Sequence, residues 1–147
     1  MARPCRLRGW PSWSGLGAPR RRAGRAPGLA IRHTVARVDL PEHRPATPPF
    51  YETDPVRPAE LHVLRLGDVA IATDPFELYV EYAARIEARS RAPLTMLVQL
   101  SSGYSGYLPT ERAVQGGGYS ADKIKVGPAG GKVLVDETVK RINELWP

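Results

Sequence analysis

Six prolines lie between His33 and Glu60, at positions 41, 45, 48, 49, 55 and 58, and they limit what this chain can fold into. Each one removes a backbone donor and fixes φ, so a stretch this dense supports at most one short strand, expected around Thr34–Val38. Residues 33–60 therefore read as an extended connector laid over a larger body. Ahead of it, residues 1–32 combine Pro, Gly and Arg without apolar periodicity of either the helical or the strand kind, the composition of a disordered tail. The tail is expected to add nothing to a core, which leaves little over 100 of the 147 residues for folding, and the ceiling is one small domain.

The net charge of +6 belongs to the tail: residues 1–38 hold nine of the 21 basic residues and no acid, leaving 12 basic and 15 acidic groups, or −3, on the other 109 residues. Specific nucleic-acid binding needs basic side chains fixed on a folded face, so a bare arginine tail offers only loose, salt-sensitive contact with polyanions. The single Cys5 excludes an internal disulfide and a cysteine zinc site. No apolar run approaches the roughly 18 residues of a membrane span, and Arg, Pro, Gly and Ser interrupt any secretory-signal pattern. The acid-free, Arg-rich start is like an organellar transit peptide, but its Pro and Gly oppose an amphipathic helix. The compartment is left open.

From Leu61 the pattern sharpens. Leu61–Leu66 and Val69–Thr73 are β-favouring runs joined by Gly67-Asp68, a hairpin signal. Asp74-Pro-Phe-Glu77 predicts a helix start, with an acceptor at the N-cap, Pro at the first position and a carboxylate at the third. The helix is expected to run to about Ser90, burying Phe76, Val80, Ala83 and Ile86 with Tyr79 and Tyr82 alongside, while Glu81, Arg85, Glu87 and Arg89 face water. Leu94–Leu100 reads as a buried strand, central in its sheet. A long Gly, Ser and Tyr loop follows through Ser101–Ser120, then a short strand at Lys132–Val135 and a last helix capped by Asp136, with Val139, Ile142 and Leu145 at helical spacing. These elements predict an α/β or α+β fold, a partial mixed sheet packed by two helices. Its apolar faces are large for the body, as though the sheet expects further strands.

Conventional hydrolytic groups are scarce. His33 and His43 fall in the connector and His62 on a strand, a poor set for a metal. Glu77 stands at a strand-to-helix junction, where α/β proteins build sites, yet a carboxylate there is more often the capping partner of Asp74. Tyr104, Tyr107 and Tyr119 can equally be ordinary half-buried aromatics.

The combination Leu66-Gly-Asp-Val-Ala-Ile-Ala-Thr-Asp-Pro-Phe-Glu77, Ser101-Ser-Gly-Tyr-Ser-Gly-Tyr107-Leu-Pro-Thr110-Glu111, Gly118-Tyr119-Ser-Ala and Val126-Gly-Pro-Ala-Gly-Gly resembles the carboxy-terminal part of the catalytic domain of neutral/alkaline ceramidases, more closely their divergent bacterial relatives. The resemblance covers about residues 61–147. It implies Glu77 and Tyr107 as two ligands of a zinc ion whose other ligands are histidines from earlier in the family's chain, and Tyr119 as the catalytic hydroxyl facing the scissile amide. The implied cofactor is Zn2+, the implied substrate a lipid amide. The implied reaction is hydrolysis of an N-acyl bond, zinc supplying a hydroxide nucleophile and the tyrosine stabilising the oxyanion. No segment matches the upstream histidines, so the expectation is a part of a zinc amidohydrolase, inactive by itself until a missing segment or another chain completes it. A non-catalytic binding or scaffold module of the same fold is the competing expectation, and loose polyanion binding through the tail a third.

Overall fold

The computed structural model describes residues 28–43, 58–122 and 124–146. The readings for the first 27 residues and for 44–57 lie outside that range, as does Cys5. The first strand, β1, spans Ile31–Val38, longer than the expected strand, and starts two residues before the expected edge of the tail. β2 (Ala59–Leu66) and β3 (Val69–Thr73) form the expected hairpin, closed at Gly67 with φ +60. A side chain is strained in that conformation, which is why glycine suits the turn.

β1, β2 and β3 pair antiparallel, and β5 (Leu94–Val98) adds in parallel beside β3, giving a mixed four-stranded sheet in the order β1-β2-β3-β5. Ala36, Ala59, Leu61, Val63, Ala70 and Ala72 project from one face, and all are buried. That face carries two helices, α1 (Val80–Arg89) and α4 (Pro128–Glu144), which contribute Tyr82, Ile86, Leu134, Val135, Val139 and Ile142 to the core. The small alanines of β1, β2 and β3 leave room for them. The mixed α/β class expected from the sequence is the class observed.

Four local expectations fail for identifiable reasons. β5 is an edge strand, not a central one, and Leu94, Met96 and Val98 are exposed, because among the described residues nothing pairs beyond it or covers its outer face. The helix after Asp74 starts five residues late: the Asp74 carboxylate accepts from the amide of Phe76 at 2.9 Å within a turn, and residues 77–78 form a short strand, β4. Val80 is therefore exposed, and Tyr82 and Ile86 carry the helix's buried face. The long loop contains β6 (Tyr107–Leu108), α2 (Glu111–Gly116) and α3 (Tyr119–Asp122).

The fourth failure is the strand at Lys132–Val135, which is helical: α4 begins at Pro128, and Asp136 lies mid-helix, paired with Arg89 at 2.7 Å and Lys132 at 2.6 Å. Gly130-Gly131 does not break the helix. A Cβ on Gly131 would stand 2.3 Å from the Tyr82 ring, and one on Gly130 would stand 2.1 Å from Val126, so close packing requires the glycines.

Candidate active site

The turn at Asp74–Phe76 ends β3 and redirects the chain into β4, and the Gly/Ser/Tyr loop wraps around it through backbone hydrogen bonds. Leu100 donates to Phe76 O at 3.3 Å, Ser101 to Asp74 O at 2.9 Å and Ser105 to Pro75 O at 2.8 Å. The wrapping needs unusual backbone: Leu100 and Ser102 have φ of 55 and 61, in the left-handed region that costs a non-glycine residue energy and is over-represented at functional sites. Gln99 closes the arrangement, its amide accepting from the N–H of Leu78 and donating to that residue's carbonyl, both at 3.0 Å.

β4 and β6 then pair in parallel with Glu77 opposite Tyr107, and the Glu77 amide donates to Gly106 O at 3.0 Å. Adjacent side chains at matched register meet, and the Tyr107 hydroxyl hydrogen-bonds the Glu77 carboxylate. That bond, with some burial and the charge of Glu77, raises the phenol's pKa above its ordinary value. Tyr119, exposed on α3, meets Tyr107 edge to face with ring centroids 6.0 Å apart. A hydrogen bond between the Tyr79 hydroxyl and Ser120 Oγ ties α3 to the entry of α1 and so fixes Tyr119 beside the pair. Tyr104, also exposed, lies close enough to influence Tyr107 electrostatically.

Three residues singled out in the sequence, Glu77, Tyr107 and Tyr119, are thus brought together, though Glu77 arrives on a strand and not in the first turn of a helix. The three histidines are elsewhere. His33 and His62 face each other on the outer side of the sheet, Nε2 to Nδ1 at 3.1 Å, with His62 Nε2 against Glu60 Oε1 at 3.1 Å, and His43 pairs by its backbone with Lys125. Sequence reasoning missed two supports of the site. Asp74 is buried, and loss of hydration pushes its carboxyl up to about 6, partly opposed by the Phe76 amide; the Tyr79–Ser120 contact spans 41 residues, beyond the reach of local periodicity.

The fold of this chain superposes on a neutral ceramidase from Pseudomonas aeruginosa with a TM-score of 0.51 at 18% identity, covering 60% of this chain and 16% of that one. The fold is ceramidase-like. A ceramidase complexed with C2 superposes with a TM-score of 0.49 at 18% identity over 58% of this chain and 15% of that one. No protein-family model and no curated protein sequence matches the chain. The ceramidase-like region here is thus a small part of the length of the solved ceramidases.

Among the described residues the donors brought together here do not by themselves make a zinc site. Zinc in proteins takes about four ligands, commonly imidazole or thiolate. Glu77 and Tyr107 supply one carboxylate and one phenol held in its protonated form, and among the described residues no group of three His, Cys, Asp or Glu side chains converges. A cleft of about 1020 Å3 between α1, α2 and the start of α4 is lined by Arg85, Thr110, Arg112 and Lys132 among others, and by none of Glu77, Tyr107 or Tyr119. Among the described residues no helix is long and apolar enough to cross a membrane.

Proposed function

We propose that this chain carries one half of an amide-hydrolase site of the ceramidase kind, with Glu77 and Tyr107 as the oxygen ligands of a zinc ion, Tyr119 as the hydroxyl facing the scissile amide, and a lipid amide as substrate. The observation that supports it most is the convergence of those three side chains, by β4–β6 register and the Tyr79–Ser120 tie, on a fold shared with a neutral ceramidase. The chain's residues contribute position and polarity: a carboxylate and a phenol fixed by paired backbone, and a second phenol, Tyr119, held edge to face against the first. Histidines from another segment or chain complete the site, because two oxygen donors hold zinc weakly compared with a set that includes imidazoles. The chain alone is therefore catalytically silent.

A non-catalytic module of the same fold is the second reading, favoured by the absence of a third donor among the described residues. Equilibrium dialysis of the full chain against zinc, beside Glu77→Gln and Tyr107→Phe, separates the two. The half-site gives weak zinc uptake that falls in both variants, and no hydrolysis of an N-acylsphingosine. Uptake that neither variant alters supports the non-catalytic module, while tight stoichiometric zinc with amide cleavage overturns the half-site.

A further inference from the structure

The helices cover one face of the sheet; the other is largely apolar, apart from His33, Arg37, Glu60 and His62, and among the described residues nothing covers it. Alternation along the strands puts Ile31, Leu66, Val69 and Leu94 in one row on that outer side and His33, Leu64, Ile71 and Met96 in the next, with Val35 opposite His62 and Val98 opposite Thr73 beyond them. Ile31 is 64%, Leu94 54%, Met96 50%, Val35 47% and Val98 42% exposed. A contiguous patch of this kind on a chain this small marks an interaction surface, whereas isolated exposed apolar residues do not.

We infer that two copies of this chain pack face to face through the outer side of the sheet, forming a two-sheet sandwich with the helices outermost. Size and charge together point to a second copy. The open side chains offer on the order of 600 Å2 of apolar surface per copy, so a pair buries roughly 1,200 Å2, the lower limit for a specific interface. The patch is also electrically self-compatible. Its ionisable groups lie on β1 and β2 and are already partnered within the chain, Arg37 with Glu60 at 3.1 Å and His62 with both Glu60 and His33 at 3.1 Å, and the β3 and β5 side of the face carries no charge for an isologous contact to oppose. Two apolar sheet faces meet at about 10 Å with their side chains interdigitated, a geometry open to sheets whose strands alternate between an inner and an outer face.

Sedimentation velocity of the full chain across a range of concentrations tests this, with Met96→Glu as the disruptive variant and Val80→Glu, a more exposed apolar position on α1, as the control. The expected result is a monomer–dimer equilibrium in the micromolar range, weakened at least about tenfold by Met96→Glu and unchanged by Val80→Glu. Circular dichroism of both variants checks the fold. As a measurement that needs no variant, peroxide oxidation of Met96 slows as protein concentration rises, because the dimer covers its sulfur. A monomer at every concentration, or a dimer indifferent to Met96→Glu, overturns the inference. So does a Met96 that resists oxidation in dilute monomer, which would mean that another part of the same chain covers the face. None of these results bears on Glu77, Tyr107 or Tyr119, which lie outside the four-stranded sheet.

Discussion

Replacing Gly131 by alanine probes the joint that holds the helical layer to the site-bearing strand. The added Cβ would fall 2.3 Å from Tyr82 Cζ and from its hydroxyl oxygen, and 2.8 Å from Cε1. The ring cannot swing aside cheaply: Tyr82 is buried, and its hydroxyl donates to Pro109 O at 3.0 Å, directly after β6. Three effects combine. Overpacking of a dense core costs about 1–3 kcal/mol, losing the Tyr82 hydrogen bond costs about 1 kcal/mol, and replacing a helical glycine returns about 1 kcal/mol. The net is a loss of about 2 kcal/mol, roughly 30-fold in the folding constant. Urea unfolding followed by circular dichroism measures it, and Tyr82→Leu supplies the second arm of a double-mutant cycle. With the smaller side chain at position 82, Gly131→Ala should cost far less, so the two effects are not additive. If Gly131→Ala leaves the urea midpoint unchanged or raises it, α4 is not packed on Tyr82 as described.

Asp74 makes a pH prediction. Its carboxyl is pushed from 3.8 up to about 6, so between those values the folded chain holds a proton that the unfolded chain has released. The contribution is present below about pH 4 and lost as pH rises through 6, on the order of 2–3 kcal/mol; relative to Asp74→Asn, the wild type should therefore lose unfolding free energy between pH 4 and 8. Glu77→Gln should lower the pKa of the Tyr107 phenol toward its ordinary value, read by NMR titration of 13C-labelled tyrosine, and an unmoved phenol would separate the pair. Thr110 Oγ1 accepts from the Ala113 amide at 3.3 Å at the start of α2, so Thr110→Ala should cost about 1 kcal/mol in urea unfolding.

Local signals were legible where neighbours in sequence decide the outcome. The Gly67 turn, the β2–β3 hairpin and the helical spacing of Val139, Ile142 and Leu145 were all readable, because hairpin and helix are short-range structures. The Asp74 turn was misread because the same acceptor that caps a helix can bond the amide two residues on. What decided between them was the distant loop at Leu100–Gly106, whose backbone pairs with residues 74–77. Lys132–Val135 read as a strand for a like reason: the ring of Tyr82, 49 residues before Gly131, is what makes glycine necessary inside this helix. β5 looked buried because its composition is apolar, and composition cannot tell a covered face from an open one. Of the site, sequence spacing alone left Glu77 a helix cap. The family resemblance picked out the carboxylate and both tyrosines, and β-register then set them side by side.

The half-site is tested most directly by tyrosine-sensitised terbium luminescence. Terbium is a hard cation that favours oxygen donors and emits when an excited phenol lies beside it. In the full chain, emission should appear on titration and fall sharply in both Glu77→Gln and Tyr107→Phe, with zinc competing weakly. Emission that survives in both variants, or none in the wild type, would mean that Glu77 and Tyr107 do not hold a cation between them, and the central claim would fail.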